Sequence, residues 1–261
     1  WTALLSGYVD QGLSEEALDC AQRMEMDGIS PNIVTFCCLL KACGDASHID
    51  LAKGHSIYMK ILQTGHEKNL LVANTLVGLY AKHGAFQEAE DIFHRLAEQN
   101  VVSWNALITG YGEHGSARHA LECFKQMKLQ KISPDLMTYA SILKSCGNSG
   151  AIGNGQEIHA EIIKRGLERC SISVGNSLIT MYANCGLLDE AREVFDKQPS
   201  FVRDVVSWNA LLSGYVEHQC EEEVLCCFNN MLSDDVYPDE VTFLCVLRAC
   251  CNTGDVMKGK E

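Results

Sequence analysis

The sequence lacks the features that define several common classes of protein. Over 261 residues it has only 21 lysines and arginines against 34 aspartates and glutamates, a net charge of −13. Basic surface for nucleic-acid phosphates is therefore scarce. The longest apolar runs are four or five residues, far below the ~20 needed to span a bilayer. We expect no membrane-spanning segment and no membrane partner.

Signatures of catalysis and of metal binding are also missing. No C-x-x-C occurs among the 14 cysteines, which removes the strongest zinc pattern. The glycine-rich stretch 147–155 lacks the Gly-Lys-Ser/Thr of a phosphate-binding loop and is interpreted as an inter-helix turn. An H-x-E at His159 and Glu161 falls within a helical pattern and is interpreted as structural. We expect no enzymatic activity, no catalytic residue, no metal and no cofactor.

The cysteines themselves favour packing over cross-linking. A chain of this length can bury a core without disulfides. Three of the cysteines end matched motifs, LKAC at Cys43, LKSC at Cys146 and LRAC at Cys250. We interpret them as small apolar core residues in a reducing compartment.

The sequence repeats itself, and this is its main positive feature. Trp1, Trp104 and Trp208 are 103 and 104 residues apart, and the large unit subdivides into copies of 31 to 37 residues. A period in the thirties is typical of a solenoid. The copies form a single array over 1–261, and they run 1–32, 33–69, 70–100, 101–135, 136–171, 172–204, 205–239 and 240–261, with the first and last incomplete. Because the chain begins inside a motif, we expect a fragment of a longer array without its targeting segment.

Each copy has the pattern of a helical hairpin. In the copy over 101–135, apolar residues stand at i, i+3, i+4 and i+7 from Trp104, and a second apolar stripe follows from Ala120. Pro134 marks the end of the pair, since proline cannot continue a helix. A hairpin of ~30 residues cannot bury its apolar face alone. We therefore predict an all-α fold, a right-handed α-solenoid superhelix of stacked helix-turn-helix repeats.

Two families build such hairpins, and one fits better. Tetratricopeptide repeats have a period of 34 and a W-x2-L-G-x2-Y pattern, which this chain matches poorly. The motifs VVSWNALITGY, TYASILKSC, GQEIHAEIIKRG and VGNSLITMYANCGLLDEAREVFD resemble those of the pentatricopeptide repeat family. The alternation of 35-residue, long and short copies resembles its PLS subclass from plant organelles.

The resemblance implies sequence-specific binding of single-stranded RNA. In this family one base is read per repeat, and the fifth and last residues of the repeat choose it. Asparagine is a poor helix residue, yet it occupies the fifth place of four copies, which suggests a function. The base-reading residues implied are Thr2, Asn32, Asn74, Asn100, Asn105, Asp135, Asn176, Asp204, Asn209 and Asp239.

The family code gives a tentative RNA site. Thr2 with Asn32 implies adenine, Asn74 with Asn100 a pyrimidine, and the three Asn/Asp pairs uracil. The long copies carry Cys37, Ala140 and Leu244 at the fifth place and are expected to be spacers. The site is then A-n-Y-U-n-U-U-n. Second-place residues would sandwich the bases: Val34, Leu71, Val102, Met137, Val206 and Val241.

Simpler interpretations stay open for each of these residues. The last-place residues could only cap the following helices, the fifth-place asparagines could be solvated polar positions, and the second-place residues could pack at the edge of the core. One residue departs from the family pattern, Gln219, where a turn glycine is expected.

By resemblance, the expected role is site recognition in organellar RNA processing, as part of a C-to-U RNA editing factor with editing-complex proteins as partners. The expected location is the mitochondrion or plastid. The alternative is a TPR-like helical scaffold that binds proteins and not RNA, which the net charge favours. If RNA is bound, the basic residues Lys41, Lys82, Lys144 and Arg248 should border the groove, with acidic runs such as 221–223 on the opposite side.

Overall fold

The computed structural model of the chain describes residues 1–45, 51–167, 171–199 and 202–253. Over these residues the regular secondary structure is helical, without any β-strand. None of the described helices has the length and apolar content needed to cross a bilayer. The helices are α1 (Thr2–Asp10), α2 (Ser14–Met26), α3 (Ile33–Asp45), α4 (Leu51–Thr64), α5 (Leu70–Lys82), α6 (Phe86–Arg95), α7 (Val101–Glu113), α8 (Ala117–Leu129), α9 (Leu136–Ser149), α10 (Ile152–Lys164), α11 (Ile172–Asn184), α12 (Leu188–Lys197), α13 (Val205–Glu217), α14 (Glu221–Ser233) and α15 (Glu240–Thr253).

The chain divides into two compact units. One comprises Trp1–His114 with Arg118–Ser133, and the other Gly115–Ala117 with Pro134–Glu261. We call the odd-numbered helices first helices and the even-numbered ones second helices. In the first unit α1, α3, α5 and α7 pack in succession, and α2, α4 and α6 each contact two of them. In the second unit α9, α11, α13 and α15 form the same succession, backed by α10, α12 and α14.

The apolar stripe predicted from the sequence forms the core of each unit. Trp104 and Trp208 are buried, and each packs edge-on against a phenylalanine of the preceding second helix, with ring centroids 4.6 Å and 4.5 Å apart. Such tilted aromatic pairs add to the stabilisation from buried area. The structure therefore confirms the all-α repeat fold expected from the helical spacing.

The motif cysteines also lie in the core. Cys43, Cys146 and Cys250 are all buried. Burial raises the pKa of the Cys43 thiol to about 11 and that of the Cys146 thiol to about 12. These thiols are therefore protonated near neutral pH, as expected of packing residues.

Short turns join the helices of each pair. Gly12 and Gly115 take the left-handed conformation, with φ of 71° at both, and Gln219 takes it at the matching place with φ of 58°. The interpretation of the glycine-rich stretch 147–155 as an inter-helix turn is correct only for residues 150–151. The ends of the stretch belong to α9 and α10. Gly155 lies inside α10, where a Cβ would come within 2.6 Å of the Met181 sulfur, so a larger residue there would displace the Met181 side chain.

Candidate nucleic-acid interface

The last-place residues are the N-caps of first helices. Each accepts a hydrogen bond from the backbone N–H three residues ahead, which satisfies a donor that the helix leaves unpaired. The last-place residues therefore do cap the first helices that follow them, as one of the simpler interpretations predicted. The distances are 2.9 Å for Asn32, 3.0 Å for Asn100, 2.8 Å for Asp135, 2.8 Å for Asp204 and 2.9 Å for Asp239.

Three of the caps also bind a fifth-place asparagine. In the first unit the Asn74 amide donates to Asn100 Oδ1 at 3.2 Å. In the second unit the Asn176 amide donates to Asp204 Oδ1 at 3.2 Å. The structure thus brings together residues that are 26 to 28 positions apart in sequence.

The third such contact joins Asn209 to Asp239 at 2.8 Å. Capping and pairing are consequently compatible roles of one carboxylate or amide oxygen. No hydrogen bond joins Thr2 to Asn32 within the described residues.

The remaining pair is divided between the two compact units. Asn105 lies on α7 in the first unit, and Asp135 caps α9 in the second. The pairing of these two residues stays a prediction.

The paired asparagines are not solvated surface positions. Asn74 and Asn209 are only 8% and 9% exposed, and Asn176 is half-buried. Burying an amide costs free energy unless it is hydrogen-bonded, and the amide nitrogens of Asn74 and Asn209 are bonded to the caps. The solvated interpretation is wrong for Asn74 and Asn209.

Two hydroxyl groups complete the clusters of the second unit. Ser207 Oγ lies 2.7 Å from Asn176 Oδ1, and Thr242 Oγ1 lies 2.6 Å from Asn209 Oδ1. Sequence reasoning missed both residues. Their signal was a serine or threonine three residues after each cap, the spacing of a capping box.

The hydrogen bonds also shift the acidity of the caps. Partial burial favours the neutral form of Asp204, but bonds from the Ser207 N–H and hydroxyl and from the Asn176 amide outweigh it and lower the pKa of the carboxyl. The pKa of Asp239 is lowered by the Thr242 N–H and then by the Asn209 amide. Both carboxyls are ionised at neutral pH and act as acceptors.

The second-place aliphatic residues are exposed. All six have between 47% and 62% of their surface open to solvent. About half of each side chain is covered, which fits both packing at the edge of the core and stacking with a base. On a helix, residues two, five and nine of a copy lie on one face, so these apolar side chains share a face with the fifth-place residues.

The basic residues predicted to border this face are exposed on first helices: Lys41, Lys82, Lys144 and Arg248. The first helices carry these four basic residues and five acidic ones, whereas the second helices carry ten basic and seventeen acidic residues. The excess of acidic over basic residues in the helices is therefore found mainly in the second helices. The first helices are close to neutral.

The H-x-E residues take part in packing contacts between helices. His159 Nδ1 lies 2.8 Å from the Tyr182 hydroxyl on α11. Glu161 accepts a bond from the Tyr139 hydroxyl at 2.8 Å and pairs with Arg165. In the described part of the chain, no group of three or more His, Cys, Asp or Glu side chains is placed to hold a metal ion.

Together the fold and these clusters define a helical-hairpin repeat protein in which three fifth-place asparagines are hydrogen-bonded to the N-cap of the next first helix. The chain belongs to the pentatricopeptide repeat family. The sequence profile described as the PPR repeat family matches residues 1–45, 99–148 and 203–252. A second PPR repeat profile matches 72–101 and 176–197.

Relatives of known sequence are similar along the whole chain. A chloroplastic pentatricopeptide repeat-containing protein of Arabidopsis thaliana is 36% identical over 100% of this chain, which spans 30% of that relative. A mitochondrial one is 37% identical over 96% of the chain, which spans 24% of it. The chain therefore covers about a third or less of the length of these relatives.

A solved structure shares the fold. The maize protein PPR10, in complex with an 18-nucleotide psaJ RNA element, superposes with a TM-score of 0.73 at 23% identity. The match covers 95% of this chain and 37% of that one. This likeness concerns the arrangement of the helices.

Proposed function

We propose that this chain binds single-stranded RNA by sequence, with one base read by each repeat of the eight-copy array. The observation that carries the proposal is the pairing of fifth-place asparagines with last-place caps, seen for Asn74, Asn176 and Asn209. An amide offers both a donor and an acceptor to the edge of a base. The copies of Asn74 and Asn209 also expose an aliphatic second-place residue, Leu71 and Val206, on which a base can stack.

The proposed site is A-n-Y-U-n-U-U-n, from the first copy to the last. PPR10, which shares the fold, was solved with bound RNA, and this supports the choice of ligand. The near-neutral first helices allow an RNA backbone to approach despite the net charge of −13. Repulsion from second helices is screened beyond about 10 Å at ordinary salt.

The role in the cell is proposed to be site recognition in organellar RNA processing, within a C-to-U editing factor and with editing-complex proteins as partners. Relatives named chloroplastic or mitochondrial support an organelle. The PLS-like alternation of copy lengths supports editing. Loss of the gene should abolish C-to-U conversion at a site preceded by the proposed sequence, and unchanged organellar transcripts would count against this role.

The second candidate is a scaffold that binds proteins. Its support is the net charge of −13, since nucleic-acid binding relies on lysine and arginine contacts with phosphates. A scaffold would use the same exposed apolar residues without any preference among RNA sequences.

Binding to synthetic RNA separates the two candidates. We expect the chain to bind A-n-Y-U-n-U-U-n more tightly than a scrambled strand of the same composition. The matched control is the variant Asn176→Ala with Asn209→Ala, which keeps the helices and removes two amides. Equal affinity of the wild type for both strands would overturn the proposal in favour of the scaffold.

A further inference from the structure

The third residue of each copy follows the identity of the fifth residue in the copy before it. After a polar fifth-place residue (Thr2, Asn74, Asn105, Asn176, Asn209), the next copy has serine or threonine at its third place. After Cys37 and Ala140 it has valine instead. The hydroxyl residues are Thr35, Ser103, Thr138, Ser207 and Thr242, and the valines are Val72 and Val174.

All seven third-place residues are fully buried, at 0% exposure. Solvent exposure therefore does not explain why five are polar and two apolar. A buried hydroxyl without a partner is costly, so its presence requires an acceptor nearby. The acceptors are the cap and, in the second unit, the fifth-place amide.

The geometry in the second unit shows what the hydroxyl can do. The Asn176 amide is held at both ends: its nitrogen donates to Asp204 Oδ1 at 3.2 Å, and its oxygen faces the Ser207 hydroxyl at 2.7 Å. The single proton of that hydroxyl has two acceptors in reach, and the amide oxygen is nearer than Asp204 Oδ1 at 2.9 Å. A flipped amide would set its oxygen against the carboxylate oxygen with no proton between them, and it would also take the nearer acceptor away from the Ser207 hydroxyl.

The Asn209 amide is held in the same way. Its nitrogen lies 2.8 Å from Asp239 Oδ1, and its oxygen lies 2.6 Å from Thr242 Oγ1. In each cluster one N–H and one lone pair remain on the amide, in fixed directions.

The first unit contains an amide held at one end only. Ser103 Oγ donates to the cap Asn100 at 3.0 Å. Asn74 Oδ1 is buried without a hydrogen-bond partner among the described residues. This copy is also the one whose Asn/Asn pair implies either pyrimidine.

We propose that the third-place hydroxyl of the following copy is a positioning residue that fixes the orientation of the reading amide. The proposal rests on the proposed reading of RNA by these copies. Uracil presents an N3–H donor beside its O4 acceptor, and cytosine presents an N3 acceptor beside an amino donor. Rotating an amide by half a turn exchanges its donor and acceptor, so a fixed amide distinguishes the two bases and a free one accepts both.

Removal of each hydroxyl tests the proposal. Ser207→Ala should reduce the preference for U over C at the sixth nucleotide from about tenfold to under about threefold, while the preference at the seventh nucleotide is kept. Thr242→Val keeps the shape of the side chain. It should reduce the preference for U over C at the seventh nucleotide and keep the preference at the sixth. Ser207→Thr restores a hydroxyl and should keep both preferences.

The outcomes separate this proposal from the proposed function. If the wild type shows no preference at either nucleotide, RNA reading itself fails. If the wild type discriminates and both variants discriminate equally well, the positioning role is overturned. Weaker binding to every strand with unchanged ratios would indicate a purely structural role and would also overturn it. If Ser207→Ala does not fold, the proposal is tested by the preference of Thr242→Val for U over C at the seventh nucleotide.

Discussion

At the scale of single residues, the reading positions combine an unfavourable helix residue with a favourable contact. Asparagine inside a helix costs roughly 0.5 kcal/mol or more relative to alanine. The bond from Asn209 to Asp239, in which the acceptor is charged, offsets a cost of this size. The contact forms without RNA, so the amide already has the position that the proposed reading of a base requires.

The substitution Asn105→Thr tests the code at one nucleotide. The resemblance implies that a Thr/Asp pair prefers guanine, whereas the present pair prefers uracil. Because a base-specific contact is worth about 1–3 kcal/mol, competition binding should show roughly a tenfold exchange of affinity between strands with U and G at the fourth nucleotide. The matched control is Asn229→Thr, on the exposed surface of second helix α14. If wild type and mutant melt alike and rank the strands alike, Asn105 is not a reading residue.

Gln219 provides a test of backbone strain. It is held at φ of 58°, a conformation that glycine occupies at the matching turns. Left-handed backbone costs a side-chain-bearing residue about 1–2 kcal/mol, so Gln219→Gly should raise the free energy of unfolding by up to about 1 kcal/mol. Gln156→Gly, inside α10, should lower it by a similar amount. Urea unfolding of both variants gives the answer, and a destabilised Gln219→Gly would contradict the account.

At the scale of the helix, one residue serves two elements. Asp204 caps α13 and binds Asn176 on α11, so the start of one first helix is tied to the face of its predecessor. The contact therefore couples the stability of a helix to the geometry of the reading pair.

The dual role predicts a pH dependence. The pKa of Asp204 is lowered from its ordinary value of about 3.9, so its stabilising contribution is present above that value and is lost as the pH falls through the folded-state pKa. Asp204→Asn keeps a capping acceptor and cannot titrate. The stability difference between wild type and Asp204→Asn should shrink between about pH 6 and about pH 3. Asp204→Ala, which removes the cap, should lose about 1 kcal/mol at the higher pH. If the stability difference between wild type and Asp204→Asn is the same at both pH values, the proposed role of the carboxylate is contradicted.

The elements themselves were largely predictable from the sequence. The spacing of Trp104, Leu107 and Tyr111 on α7 gave the helix and its buried face, since an apolar stripe must pack against something. What the sequence left open was whether Asp204 and Asp239 were caps or reading partners. Only the packing of α11 against α13, and of α13 against α15, showed that both contacts use one oxygen.

The hydroxyls of Ser207 and Thr242 could not be assigned from sequence alone. The capping-box spacing predicts a bond to the cap three residues earlier. The second acceptor lies 31 residues away for Ser207 and 33 for Thr242, and it is brought near only when neighbouring first helices pack. Likewise, burial of Asn74 follows from its neighbours and not from its polarity.

At the scale of the whole molecule, the proposed function gives alternate tasks to the copies. We propose that copies with a polar fifth-place residue read bases and that the long copies, with Cys37, Ala140 and Leu244, act as spacers. The molecule should therefore bind an interrupted pattern of bases, with fixed gaps between the specified positions. A protein-binding scaffold would show no such pattern.

Selection from a pool of random single-stranded RNA tests this central claim most directly. The bound fraction should be enriched in A-n-Y-U-n-U-U-n, with uracil at the fourth, sixth and seventh nucleotides and no preference at the second, fifth and eighth. Sequencing of the bound and unbound pools measures every position at once. A bound pool without enrichment, or one whose preferred bases fall at the spacer positions, would contradict the account.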